Sequence, residues 1–135
     1  MRLVDTSAWV EWLVGSPTGE RVAPALPERA DWLAPTIVQL ELAKWLTREA
    51  GEDRADQIIA FSQLCVVAPL DIEIALSAAE ICGRLKLATA DAIVYATALK
   101  YGADLLTCDG RFDGLPSVIY LQKTAPAPLP RSSGS

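Results

Sequence analysis

The alternation of short apolar runs with longer helical stretches is the feature that most constrains the fold of this chain. Four runs that read as strands, at 2–5, 65–70, 103–109 and 117–121, are separated by helical patterns. This order is typical of an α/β domain with a mostly parallel sheet. A length of 135 residues fits one domain. We therefore predict a single α/β domain.

Turn formers and capping residues mark where the helices begin and end. Helices are predicted over 7–14, 34–51, 52–64, 72–85 and 89–102, with a short broken one in 18–30. Thr36 and Asp71 are the expected N-caps of the helices that follow them, and Gly51 is the expected end of the third. The domain is predicted to span 1–124. The Pro- and Ser-rich segment 125–135 is predicted to be a disordered tail, consistent in part with a cloning-derived extension.

The absence of histidine limits the chemistry open to the chain. It has no histidine and three cysteines, none of them in a C-x-x-C pair. Ser-His-Asp triads, Cys-His pairs, histidine zinc sites and disulfide frameworks are therefore not expected. Carboxylates, lysine, hydroxyls or a metal ion must carry any catalysis. No apolar stretch approaches the roughly 18 residues of a membrane span, and no secretory signal is recognised, so a cytoplasmic protein without a membrane partner is expected.

Four acidic residues stand at positions where a carboxylate is unusual. Asp5 and Asp109 end or follow apolar strands, so both are predicted at the carboxyl edge of the sheet, where α/β proteins bind ligands. Glu41 lies in an apolar helical stretch, and Asp91 lies in the first turn of another helix. Each alone could be a cap, a turn residue or half of an ion pair. Together, converging carboxylates repel unless they bind a hard cation, and oxygen ligands favour Mg²⁺ or Mn²⁺.

These motifs resemble the PIN-domain family, and most closely its small VapC toxin ribonucleases. The matching segments are "LVDTSAWVEWL" with Asp5, "TIVQLELAKWL" with Glu41, the block "LATADAIVYATALKYGADLLTCDGRFDGL" with Asp91 and Asp109, and the closing strand "VIYL". The resemblance covers about residues 1–121. The late block is its most specific part, since a helix opened by an aspartate leads to a strand and T-x-D-x-x-F.

The resemblance implies a fold, an activity and partners. The expected fold is a central parallel sheet of about four to five strands flanked by helices on both faces. The expected activity is endonucleolytic hydrolysis of a structured RNA (tRNA, rRNA or mRNA) by a metal-activated water, with one or two Mg²⁺ or Mn²⁺ ions as cofactor. A small antitoxin protein and a second copy of the chain are the implied protein partners. By motif position, the catalytic and metal-binding residues are Asp5, Glu41, Asp91 and Asp109, and the supporting residues are Thr6, Ser7, Thr107 and Asp113.

The acidic net charge is compatible with an RNA substrate. The chain has 17 acidic and 12 basic residues, so 13 acidic residues remain when the four site acids are set aside. A nearly balanced remainder favours one structured RNA over generic binding. Arg84, Lys86 and Arg111 flank the motifs and are candidate phosphate contacts, although ordinary solvated surface explains them equally well.

Two other interpretations stay open at this point. One is an aspartate-based phosphotransfer or receiver domain, with Asp5 after the first strand and Lys123 after the last. Against it, position 7 holds Ser7 where a D-x-D phosphatase needs an acid, and Glu41 is unexplained. The other is a non-catalytic PIN-like module that binds RNA or protein. Retention of four clustered acids argues against that, because such clustering costs stability without a metal.

Overall fold

The computed structural model describes residues 1–124, and the predicted tail at 125–135 lies outside the described residues. Strands and helices alternate along this part of the chain, with three short 3-10 helices between them. The strands are β1 Arg2–Val4, β2 Trp32–Pro35, β3 Val66–Ala68, β4 Asp104–Thr107 and β5 Val118–Tyr120. The helices are α1 Thr6–Val14, α2 Pro17–Val22, α3 Thr36–Ala50, α4 Glu52–Ser62, α5 Ile72–Leu85 and α6 Thr89–Lys100.

The five strands form one parallel sheet in the order β3-β2-β1-β4-β5, which confirms the predicted fold class. From β1 the chain builds outward to β2 and β3, then crosses back to β4 and β5. Right-handed crossovers therefore place α1 to α4 on one face and α5 and α6 on the other. The direction of winding reverses between β1 and β4, and ligands of open α/β sheets bind at such a switch point. Receiver domains have the strand order 2-1-3-4-5, so this topology excludes a receiver domain.

Strand β2 is the element that sequence patterning missed. Its four residues are all buried, and Pro35 ends it directly before α3. Because proline is unusual inside a strand and this run is short, residues 34–35 were predicted as the start of the following helix. The expected cap at Thr36 was also wrong: Pro35 occupies the N-cap position, and the Thr36 hydroxyl instead accepts the backbone N–H of Leu70 at 3.3 Å.

Other predicted helix ends are confirmed. The side chain of Asp71 accepts the backbone N–H of Ile74 at 2.8 Å at the start of α5. Gly51 ends α3 with a φ of +89°, a conformation that suits glycine. The two helices after β1 approach each other closely at Gly19, where a Cβ would meet the carbonyl oxygen of Glu11 at 2.0 Å.

The core fills the space between the sheet and its helices. The central strands supply fully buried aliphatic side chains, and Trp9 packs on Trp32 with ring centroids 4.7 Å apart. Arg2 and Asp104 form a bidentate ion pair, at 2.8 and 3.1 Å, that joins the starts of β1 and β4. Among residues 1–124, no helix is both long and apolar enough to span a membrane.

Candidate active site

A cleft of about 580 Å³ opens at the carboxyl edge of the sheet, beside the switch point between β1 and β4. It is lined by residues of α1, α3 and α6, by the last residue of β5, and by the segments that follow β1, β4 and β5. Its lining residues are Asp5, Thr6, Ser7, Glu41, Asp91, Cys108, Asp109, Gly110, Arg111, Tyr120, Gln122 and Lys123. Four carboxylates that are far apart in sequence therefore share one cleft.

Asp5 follows β1 directly and is 6% exposed. Its backbone takes the N-cap position of α1, but its side chain makes no capping hydrogen bond. Oδ2 instead accepts hydrogen bonds from the hydroxyls of Ser7 and Thr107, both at 2.8 Å. Burial raises the pKa of Asp5 to about 6; the two hydroxyls oppose this shift, and the charge of Glu41 adds to it. The carboxylate is thus held by side chains as a positioned group, which a simple cap does not require.

The hydroxyls of Ser7 and Thr107 each donate one hydrogen bond and accept another. Ser7 Oγ accepts the N–H of Cys108 at 2.9 Å, and Thr107 Oγ1 accepts the N–H of Asp109 at 2.9 Å. Each hydroxyl has one proton, and each donates it to Asp5. Their mutual contact of 3.2 Å therefore adds no further hydrogen bond when both donate to Asp5. The arrangement ties Asp5 to the backbone that carries Asp109.

Glu41 reaches the cleft from the second turn of α3. Its Oε1 accepts a hydrogen bond from the hydroxyl of Thr6 at 2.7 Å. Lys44 and Arg48, the alternative partners suggested by sequence, form no ion pair with Glu41 among the described residues; Arg48 pairs with Glu49 at 3.0 Å. Glu41 therefore points its charge at the cleft without a cation against it.

Asp91 lies in the first turn of α6 and carries a buried oxygen without a hydrogen bond. Its Oδ2 is 3.2 Å from Arg111 Nη1, in a geometry that gives an ion pair and no hydrogen bond. Burial raises the pKa of Asp91, against the attraction of Arg111, and the charges of Asp109 and Glu41 raise it further. Buried carboxylate oxygens are normally satisfied by a hydrogen-bond donor or by a cation.

Asp109 follows β4 and serves partly as a local cap. Its Oδ1 accepts the backbone N–H of Arg111 at 3.0 Å, and Oδ2 accepts Arg111 Nη2 at 2.6 Å. The hydrogen bonds from Arg111 lower the pKa of Asp109. Asp109 therefore stabilises the local turn, as one interpretation of the sequence expected. The same carboxylate also lines the cleft.

Some predicted residues lie elsewhere, and others were missed. Asp113 is exposed after the 3-10 helix at 110–112, and Arg84 and Lys86 are exposed at the end of α5; none of the three lines the cleft. Thr107 is fully buried behind Asp5. Sequence reasoning did not place Tyr120, Gln122 or Lys123 in the site. A signal was present, because all three end or directly follow a strand whose carboxyl end lies at the same edge.

The donor set suits a hard divalent cation. Its ligating atoms are carboxylate oxygens, one of them buried without a hydrogen bond, and their charges act on one another. In the described conformation, no three acidic or cysteine side chains of residues 1–124 are grouped to hold an ion as they stand. The chemistry therefore fits Mg²⁺ or Mn²⁺, and binding requires side chains to move.

The sequence profile of the PIN domain matches residues 2–117. The chain therefore belongs to the PIN-domain family. A search of curated proteins found no match.

Similar solved structures share the fold over nearly their whole length. A toxin–antitoxin complex from Klebsiella pneumoniae has a TM-score of 0.79 at 21% identity, covering 92% of this chain and 100% of that one. FitAcB from Neisseria gonorrhoeae has a TM-score of 0.73 at 23% identity, with coverage of 89% and 96%. VapC20 from Mycobacterium tuberculosis, a sarcin-ricin loop cleaving toxin, has a TM-score of 0.69 at 22% identity, with coverage of 87% and 97%.

Proposed function

We propose that this chain is a metal-dependent endoribonuclease that acts as the toxin of a toxin–antitoxin module in the cytoplasm. The observation that supports this most is the convergence of Asp5, Glu41, Asp91 and Asp109 on one cleft at the switch point of the sheet. Membership of the PIN-domain family and the fold shared with VapC20, which its name describes as a sarcin-ricin loop cleaving toxin, agree with it.

The four carboxylates would hold one or two Mg²⁺ or Mn²⁺ ions. Bound there, a divalent cation would supply a water of lowered pKa and positive charge beside the phosphate. The rest of the site positions these groups. Ser7 and Thr107 orient Asp5, and Thr6 orients Glu41. Residues that donate hydrogen bonds to metal-binding carboxylates usually fix the orientation of those carboxylates in this way.

The basic side chains of the cleft would receive the RNA backbone. Arg111 and Lys123 line the same cleft as the carboxylates, and both can contact phosphate oxygens. Arg84 and Lys86 lie outside the cleft and could contact RNA only at a distance from the reacting phosphate. Asp113 has at most an outer supporting role. We propose an RNA with structured surroundings as the substrate, because two cleft cations give only modest non-specific affinity.

Protein partners follow from the structures that share this fold. One of them is a toxin–antitoxin complex. We propose that a small antitoxin binds this chain and closes the cleft to RNA, and that the chain forms a homodimer. Co-expression with the product of a neighbouring open reading frame, followed by size-exclusion chromatography, tests both points. A monomer that binds no such product would contradict them.

The primary test is metal binding and cleavage measured together. Wild-type protein and Asp91→Asn are titrated with Mn²⁺ by calorimetry, and cleavage of total RNA is followed with Mg²⁺ or Mn²⁺. We expect binding and cleavage in the wild type, and loss of both in the variant. Asp113→Asn, which removes an exposed carboxylate outside the cleft, is the matched control and should retain both.

The outcome separates the proposal from its alternative. Neither metal binding nor cleavage in the wild type would overturn the nuclease and favour a non-catalytic PIN-like binding module. RNA binding that persists in Asp91→Asn without any wild-type cleavage would point to the same alternative. Cleavage that survives Asp91→Asn would show that the wrong carboxylates have been assigned.

A further inference from the structure

Arg111 contacts two of the four carboxylates with one guanidinium group. Nη2 is 2.6 Å from Asp109 Oδ2, Nε is 3.0 and 3.1 Å from the two oxygens of Asp109, and Nη1 is 3.2 Å from Asp91 Oδ2. The guanidinium therefore bridges a residue that follows β4 and a residue at the start of α6. It is the one cation within 4 Å of these two carboxylates among residues 1–124.

This bridge uses the oxygens that a divalent ion would need. Among the described residues, Asp91 Oδ2 accepts no hydrogen bond and forms an ion pair with Arg111, and Asp109 Oδ2 accepts only from Arg111. A guanidinium and a divalent ion held at contact distance from the same carboxylates repel each other, so the two cations compete for this site. The absence of a ready three-ligand group in the described residues is consistent with a site that Arg111 already satisfies.

The guanidinium can leave without disturbing the local backbone. The Arg111 side chain is 64% exposed, so solvent is available along the path. The turn after β4 is held by a separate hydrogen bond, from the Arg111 backbone N–H to Asp109 Oδ1 at 3.0 Å. Release of the side chain therefore costs a partly exposed ion pair and leaves the 3-10 helix intact.

We propose that Arg111 has two alternative partners. In the metal-free protein it stands in for the divalent cation between Asp91 and Asp109, and on metal binding it is released to contact the RNA phosphate. This inference rests on the proposed function. Because Arg111 leaves the carboxylates for either reason, metal and RNA should each strengthen the binding of the other. Arg111 would contact the substrate only when the metal site is loaded.

Removing the guanidinium should strengthen metal binding and weaken the metal-free fold. In Arg111→Gln, calorimetry should show Mn²⁺ binding about five- to tenfold tighter than in the wild type, a modest allosteric coupling. Without metal, the variant should have a lower Tm, because Asp91 and Asp109 lose their counterion. At saturating Mn²⁺ this difference in Tm should disappear. Arg54→Gln, which removes the same charge from exposed α4, is the control for general electrostatics and should leave Mn²⁺ affinity within about twofold.

Results that would overturn the role of Arg111 differ from those that would overturn the proposed nuclease function. Unchanged Mn²⁺ affinity in Arg111→Gln, or a Tm loss that persists at saturating Mn²⁺, would make Arg111 an ordinary structural ion pair and overturn the inference while the nuclease stands. An equal gain in Arg54→Gln would attribute the effect to net charge and also overturn it. If neither wild type nor Arg111→Gln binds Mn²⁺, and RNA is not cleaved, the proposed function fails first and the inference fails with it.

Discussion

The hydroxyl of Thr107, the last residue of β4, donates a 2.8 Å hydrogen bond to the carboxylate of Asp5, the first residue after β1. The two neighbouring strands at the switch point are thus joined by a side-chain contact at the place where ligands of this class of sheet bind. The same Thr107 oxygen accepts the N–H of Asp109 at 2.9 Å. One buried hydroxyl therefore sets the positions of two of the four acids.

Replacing this hydroxyl by a methyl group should impair the site more than the fold. Thr107→Val keeps the side-chain volume but removes a donor to Asp5 and an acceptor for Asp109. We expect RNA cleavage to fall by about 10- to 100-fold, the usual effect of removing a residue that hydrogen-bonds to a metal-binding carboxylate. Thr107→Ser retains the hydroxyl and should recover most of the rate. The assay is single-turnover cleavage at saturating Mn²⁺.

A matched control comes from another buried threonine. Thr97 donates its hydroxyl to the Ile93 carbonyl within α6 and does not line the cleft. Thr97→Val should therefore leave the cleavage rate within about twofold, since its hydrogen bond is local to the helix. Equal losses of rate in both variants would mean that Thr107 acts only through general stability.

Asp5 should make the metal-free protein less stable as pH rises. Its folded pKa of about 6 lies above the ordinary value of 3.8, so the folded state keeps a proton that the unfolded chain has released. The stabilisation is fully present below about pH 4 and is lost as pH rises through 6. A shift of about two units corresponds to at most about 3 kcal/mol in the free energy of unfolding.

Asp5→Asn should remove this pH dependence. The amide oxygen can still accept from Ser7 and Thr107, and the side chain cannot ionise. In EDTA at pH 7, the variant should be as stable as the wild type or more so, while its RNA cleavage is lost. Urea unfolding from pH 4 to 8 measures the difference, and Asp113→Asn should retain the wild-type profile. A large drop in Tm for Asp5→Asn at pH 7 would indicate a structural role for the carboxylate instead.

Two glycines give a paired test of the fold. A Cβ at Gly19 would lie 2.0 Å from the Glu11 carbonyl oxygen, which is backbone and cannot yield easily. Gly19→Ala should cost roughly 2–4 kcal/mol, because α2 must move away from α1. A Cβ at Gly83 in α5 would meet nothing within 4 Å. Gly83→Ala should instead stabilise the protein by about 0.5–1 kcal/mol. Urea unfolding of both variants checks the signs, and a stable Gly19→Ala would contradict the close packing of α1 on α2.

The fold class and the meeting of Asp5 with Asp109 could be predicted from the sequence because both depend on strand ends, whereas Glu41 and Asp91 lie in helices and were assigned to the same site through the resemblance to the PIN-domain family. Asp5 and Asp109 follow apolar strands, and parallel strands bring such positions to one edge. Patterning missed β2, since four buried residues ending in Pro35 carry no periodicity of their own. Proximity in sequence did not identify which basic residues reach the cleft. Arg84 and Lys86 lie close to Asp91 in sequence, but they lie at the end of α5, outside the cleft. The roles assigned to the site residues stay predictions.

Lys123 lines the cleft but was not among the phosphate contacts predicted from proximity to the motifs in sequence. It follows β5, whose Tyr120 is paired with Thr107 across the sheet, so the segment 121–123 continues toward the cleft. We expect Lys123→Gln to weaken RNA binding and to reduce its salt dependence by about one unit of logarithmic slope, as loss of one phosphate contact does. The measurement is a salt titration of bulk tRNA binding in an Asp91→Asn background, which prevents cleavage. Lys86→Gln removes the same charge from the exposed end of α5, and its slope should stay at the parental value. If Lys86→Gln lowers the slope and Lys123→Gln does not, the RNA crosses the end of α5 and not the cleft, and the phosphate contact assigned to Lys123 is wrong.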